Sequence, residues 1–117
     1  MVRQGSTQPL EPFARIHVDE AKRLYDEGAM VIDVREPDEY VQGHVKGAIL
    51  MPVDSVLARV DELPQGKVLL FICSQGVRSA LACEMAAAMG YSNLYNIEEG
   101  TSTWIEKRYP SKTGMEP

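Results

Sequence analysis

The apolar positions of this chain fall into short continuous runs separated by stretches of helical period. Met30 to Val34 and Lys67 to Cys73 are unbroken runs rather than alternating ones, which is the pattern of strands covered on both faces in a parallel sheet. Ile49 to Met51 and Asn93 to Ile97 read as shorter strands of the same kind, and Ile16 to Val18 as an edge strand.

Between the runs, Ala21, Leu24 and Tyr25 recur at three-and-four spacing and stop at Gly28, so a helix is predicted there, with Asp19 and Glu20 at the positive end of its dipole. Further helices are predicted over Glu36 to Gln42, over Ser55 to Leu63 with Ser55 as N-cap, over Arg78 to Met89 and over Thr101 to Lys107. Glu36, Asp38 and Glu39 read as charge at a helix N-terminus. Strands alternating with helices predict an α/β fold: a central parallel sheet of about five strands with helices on both faces.

With 117 residues and no internal repeat, one domain is expected. Residues 1–15, with Gly5, Pro9 and Pro12 and no apolar period, are predicted to be a flexible arm, 16–108 the folded domain, and 109–117 a polar, frayed tail. The composition, 44% hydrophobic and 25% charged, is that of a globular domain. A net charge of −5 without clustered Lys and Arg argues against nucleic acid as a partner. Neither a signal-peptide core nor a membrane-length apolar segment is visible, so a cytoplasmic placement without a membrane partner is expected. No heptad or exposed apolar stripe announces an interface, and a monomer is expected.

The chemistry concentrates at Cys73, one of two cysteines. It ends the most apolar run, at the carboxyl edge where parallel sheets bind ligands, and Ser74, Gln75, Gly76, Val77, Arg78 and Ser79 follow before an alanine-rich helix. A short loop entering a helix gathers unpaired backbone N–H groups around one point, a pocket that stabilises a thiolate. Gly76 supplies the freedom to curl the loop, and Arg78 is expected to aim its planar donors inward at an anionic substrate. Cys83 lies within Ala80 to Ala88, apolar nearly all round, and is read as a packed core thiol more than a turn away. Asp33 and Arg35 end another strand and read as an ion pair that clamps neighbouring loops, and His44 as a buried side chain fixing the loop after the second helix. Without a CxxC pair or a histidine cluster, no metal is expected.

Three stretches together resemble the rhodanese homology family: Asp33-Val34-Arg35 with Glu36 to Tyr40, Gly43 to Ala48 leading to Pro52, and the loop Cys73 to Ser79. The resemblance runs from about Ile16 to Trp104. It implies a rhodanese-like domain, a Cys73 persulfide cradled by backbone amides, and transfer of sulfur from a donor such as thiosulfate to cyanide or a thiol, with no cofactor. The expected partners are a small sulfur donor and acceptor, with a protein thiol as a further candidate. The family includes phosphatases and arsenate reductases whose loop has five residues between Cys and Arg, whereas this chain has only Ser74 to Val77. A persulfide carrier or interaction module fed by a partner protein is the alternative, and an oxyanion enzyme ranks below it.

Overall fold

A computed structural model describes residues 10–117. In chain order the main elements are β1 (Ala14–Ile16), α1 (Val18–Asp26), β2 (Met30–Asp33), α2 (Pro37–Gln42), β3 (His44–Val45), β4 (Ile49–Leu50), α3 (Val56–Arg59), β5 (Leu69–Ile72), α4 (Val77–Ala88), β6 (Leu94–Ile97), α5 (Gly100–Glu106) and β7 (Ser111–Lys112). Five strands form one sheet in the order β1-β6-β5-β2-β4, every neighbouring pair parallel. β3 and β7 make a separate antiparallel pair.

Side chains alternate across each strand, so a strand buried on both sides feeds two cores. Ile32, Val34, Leu69, Phe71 and Cys73 join Val56, Val60, Leu63, Ala82, Cys83 and Ala86 in one cluster, roofed by α3 and α4. Val31, Leu70 and Ile72 join Val18, Ala21, Ile97 and Trp104 in the other, roofed by α1 and α5. This two-sided burial is why Met30 to Val34 and Lys67 to Cys73 read as continuous rather than alternating runs. On β6 the phase puts Leu94 in the first cluster and Tyr95 and Ile97 in or against the second. Asn96 therefore points, with Leu94, toward α4.

Helix α1 starts without a side-chain cap of its own. The Val18 N–H donates instead to Glu99 Oε1 at 2.8 Å, a cap supplied from 81 residues away. Of the described residues, no helix is long and apolar enough to cross a membrane.

Three expectations need correction. The segment 55–63 is no single helix: 3-10 turns at Val53–Ser55 and Val60–Glu62 flank α3, and Ser55 is itself helical with no capping bond. The Tyr91 hydroxyl lies 2.7 Å from the carbonyl oxygens of both Val60 and Leu63, and this buried anchor competes with a regular helical ladder. The arm is shorter than residues 1–15, because Phe13 is buried and Ala14 and Arg15 belong to β1. Residues 1–9 lie outside the described residues.

The tail is docked rather than frayed. Trp104 Nε1 and Lys46 N donate to Pro110 O at 2.8 and 3.0 Å, Gly114 N donates to Val41 O at 2.8 Å, and β7 pairs with β3. These are backbone attachments, which require no apolar pattern in the tail. Ending the chain after Tyr109 is expected to lower stability by about 2 kcal/mol, since Trp104 and β3 lose their partners. Urea denaturation of the shortened chain measures this loss.

Candidate active site

β5 delivers Cys73 to the carboxyl edge of the sheet, between the flanking strands β2 and β6. Gly76 sits in the left-handed region at φ +85°, and a Cβ there would meet Glu98 O at 2.7 Å, so the turn into α4 requires glycine. The loop closes around sulfur: Gly76 N and Ser79 N donate to Cys73 Sγ at 3.1 and 3.4 Å, and the Ser79 hydroxyl lies 3.3 Å from it. Burial pushes the Cys73 thiol up, but the Ser79 hydroxyl and the backbone N–H groups of Ser79, Gln75 and Gly76 outweigh it and leave its pKa below the ordinary value. Cys83 is driven the other way by burial among apolar side chains, which favours its neutral thiol. Gln75 and Val77 face solvent on the outside of the loop.

Arg78 departs from its expected pose. Its two terminal nitrogens donate to Glu39 Oε1 and Oε2 at 2.8 and 3.0 Å, and Nη2 also donates to Ser74 Oγ at 3.0 Å. The guanidinium is thus a strut between α4, α2 and the loop, its charge balanced by Glu39 rather than offered to a substrate. Glu39 gave no signal in the sequence beyond its place in a helix first turn, where it also closes a capping box with Glu36. The Arg78 hydrogen bonds hold the Glu39 carboxyl down from 4.5 to about 2. A lowered carboxylate contributes stability that is complete above its unfolded value and lost as pH falls through the folded one. Glu39→Gln is therefore expected to cost about 1 kcal/mol at neutral pH and to flatten the loss of stability between about pH 4.5 and pH 2. Thermal midpoints of both proteins across that range provide the check.

Asp33 and Arg35 form a buried bidentate pair. Arg35 Nε and Nη2 donate to Asp33 at 2.9 and 2.7 Å, and Nη2 also reaches Gly43 O at 2.8 Å. The pair ties the end of β2 to the turn before β3. His44 is fully buried and stacked on Tyr40, its ring nitrogens each 2.8 Å from a carbonyl oxygen, of Tyr40 and of Glu116. With both nitrogens facing main chain, His44 has no free nitrogen to act as a base at Cys73.

Two more supports escaped the sequence reading. Asn96 Nδ2 donates to Gly76 O at 3.0 Å, and the Ser79 hydroxyl donates to Asn96 Oδ1 at 2.5 Å. A polar residue at a core-facing phase of β6 was the available signal. Thr101 N and Oγ1 both donate to Cys73 O, at 3.0 and 3.3 Å, which fixes the peptide leaving Cys73 from α5. Beside the loop, a cleft of about 280 Å³ lies between α2 and α5, lined by Arg35, Glu39, Gly43, Thr101 and Ile105. Among the described residues, no cluster of His, Cys, Asp or Glu is arranged to hold a metal ion.

A buried sulfur ringed by donors, with its thiolate favoured, can act as a nucleophile and can hold an anionic sulfur. The chain matches the family described as Rhodanese-like domain over residues 17–107. It is similar to "Thiosulfate sulfurtransferase GlpE" of Pseudomonas entomophila, 33% identical over 91% of this chain and 96% of that protein. It is 32% identical to "Putative sulfur carrier protein YrkF" of Bacillus subtilis, over 70% of this chain and 44% of the relative. Among solved structures, a rhodanese-related protein from Thermoplasma volcanium superimposes with a TM-score of 0.75 at 31% identity, covering 89% of this chain and all of that one.

Proposed function

Since the chain belongs to the rhodanese-like domain family, we propose that it is a sulfurtransferase that carries a sulfane sulfur on Cys73. The observation that carries this reading is the convergence of Gly76 N, Ser79 N and the Ser79 hydroxyl on Cys73 Sγ. The Cys73 thiolate attacks the outer sulfur of a donor such as thiosulfate; the new S–S bond forms as the donor's S–S bond breaks, and sulfite leaves with the electron pair. The negative charge then rests on the outer sulfur of the persulfide, within reach of the loop amides. An acceptor such as cyanide attacks that sulfur, takes it as thiocyanate and returns Cys73 as a thiolate.

The same geometry weakens the oxyanion-enzyme reading. A phosphatase or arsenate reductase needs donors for several oxygens, whereas here both terminal nitrogens of Arg78 are engaged by Glu39 and Ser74. A balanced Arg78 also supports the carrier reading, in which a partner protein supplies the persulfide, and the similarity to a protein named as a sulfur carrier favours it as the second choice.

The assay is thiocyanate formation from thiosulfate and cyanide, run beside hydrolysis of p-nitrophenyl phosphate, with wild type and Cys73→Ser. Thiocyanate formation that disappears in the variant supports the sulfurtransferase. Phosphate ester hydrolysis that disappears in the variant would replace it.

A further inference from the structure

Asn96 is fully buried on β6, and both ends of its amide are engaged. Nδ2 donates to Gly76 O at 3.0 Å, and because that partner only accepts, the carbonyl end must face the opposite way. There Oδ1 takes a hydrogen bond from the Ser79 hydroxyl at 2.5 Å. The same Ser79 oxygen lies 3.3 Å from Cys73 Sγ. A serine carries one hydroxyl hydrogen, so it cannot serve Asn96 and Cys73 together.

The state of the sulfur decides between them. A Cys73 thiol can donate its own hydrogen to Ser79 Oγ while the Ser79 hydroxyl stays on Asn96, and all three groups are satisfied. A thiolate can only accept. Its hydrogen bond from Ser79 is charge-assisted and stronger than one to an amide oxygen, so the hydroxyl turns to sulfur and leaves Asn96 Oδ1 unpaired in the core. In a persulfide the charge moves to the outer sulfur, and the hydroxyl returns to Asn96.

We propose that Asn96 is a positioning residue that acts through Ser79: it holds the Ser79 hydroxyl when Cys73 is a thiol or a persulfide and releases it to the sulfur when Cys73 is a thiolate. The persulfide part rests on the sulfurtransferase reading, whereas the thiol-to-thiolate part stands without it. Three ionised side chains surround this relay, and each is paired: Glu98, whose Oε2 lies 3.5 Å from Asn96 Nδ2 on the side away from the hydroxyl, with Arg15; Arg78 with Glu39; and Asp33 with Arg35. They give the hydroxyl no alternative partner.

Asn96 thus tempers the acidity of Cys73, because ionisation must break its bond to Ser79. The test titrates Cys73 by thiolate absorbance in wild type, Asn96→Ala, Ser79→Ala and the double variant; Cys83, whose thiol is favoured by burial, stays out of the titration. Asn96→Ala is expected to lower the Cys73 pKa by about half a unit to one unit more when Ser79 is present than in the Ser79→Ala background, the scale of one hydrogen bond. Equal shifts in the two backgrounds, or none, would mean that Asn96 only supports the loop, and would overturn the proposal.

A wild-type measurement guards against a variant that fails to fold. The NMR shift of the Asn96 side-chain carbonyl carbon is expected to follow the Cys73 titration; a flat response overturns the relay. Both readouts report acidity rather than sulfur transfer. A positive coupling with no persulfide on mass analysis would remove the sulfurtransferase and keep the relay, and the reverse pair would do the opposite.

Discussion

Replacing Arg35 by methionine is expected to cost about 3–5 kcal/mol of stability, because it leaves the Asp33 carboxylate buried without its counter-charge. Asp33 is fully inaccessible and lies at the end of β2. Both of its oxygens accept from Arg35: Oδ1 from the backbone N at 3.1 Å and Nε at 2.9 Å, Oδ2 from Nη2 at 2.7 Å. Methionine keeps an unbranched apolar stem and removes every one of the side-chain donors. The Gly43 carbonyl loses its bond at the same stroke, so the turn into β3 loosens together with the end of β2. Arg35→Lys keeps the charge but not the two-pronged geometry, and an intermediate loss is expected from it. Urea midpoints for the two variants separate the contribution of charge from that of geometry. Equal stability of wild type and Arg35→Met would show that the pair holds nothing together.

Gly100→Ala is expected to disable the site and the fold together. Gly100 opens α5 at φ +82°, and a Cβ added there would stand 2.0 Å from Ser74 O and 2.7 Å from Cys73 O. These are main-chain atoms of the loop that holds the sulfur, and they cannot swing aside as a flexible side chain would. The strain has two sources: a left-handed backbone that disfavours a side chain, and an overlap that must displace the peptides on either side of Ser74. Together they are expected to cost about 3 kcal/mol or more, and the displaced loop to lower sulfur transfer by about 100-fold. Gly90→Ala provides the comparison: φ is +97°, yet nothing lies within 4 Å of the new carbon. It is expected to cost only about 1 kcal/mol and to leave activity intact. Chemical denaturation and initial rates on the two variants distinguish backbone strain from collision.

What the sequence made legible was whatever depends on local pattern. The doubly buried strands announced themselves because every residue of Met30 to Val34 or of Leu69 to Cys73, apart from the Arg35-paired Asp33, has a core to face. Cys73 was legible because a strand end, a glycine and a helix start follow one another along the chain. What was hidden depends on pairs brought together from afar. Glu39 is 39 residues from Arg78 in sequence, and nothing near either one marks the other as its partner. The Glu99 cap on α1 and the docking of the tail through Pro110 O, on Lys46 N, and Glu116 O, on His44, are likewise contacts between distant segments, and those of the tail are made by main-chain atoms that have no signature in the sequence. Arg78 was misread for the same reason: its place at the loop end was evident, but its direction is set by Glu39. Asn96 stands between the two cases. The phase of β6 marks it as a core position, and a buried amide there implies partners, but only the fold shows that they are Gly76 and Ser79.

The arrangement of the site also separates two jobs that one charged residue could have shared. Sulfur is held by main-chain N–H groups and one hydroxyl, which favour an anion without adding a net charge to the pocket. Arg78, Glu39 and Ser74 hold the loop's outer wall. Such a site suits a single anionic sulfur.

The most direct test is the intact mass of the protein after incubation with thiosulfate, in wild type and in Cys73→Ser, before and after dithiothreitol. A gain of one sulfur atom, about 32 Da, on the wild type alone and reversed by the reductant is the predicted result. An unchanged wild-type mass, or a gain that survives in Cys73→Ser, would contradict a persulfide formed on Cys73 from this donor.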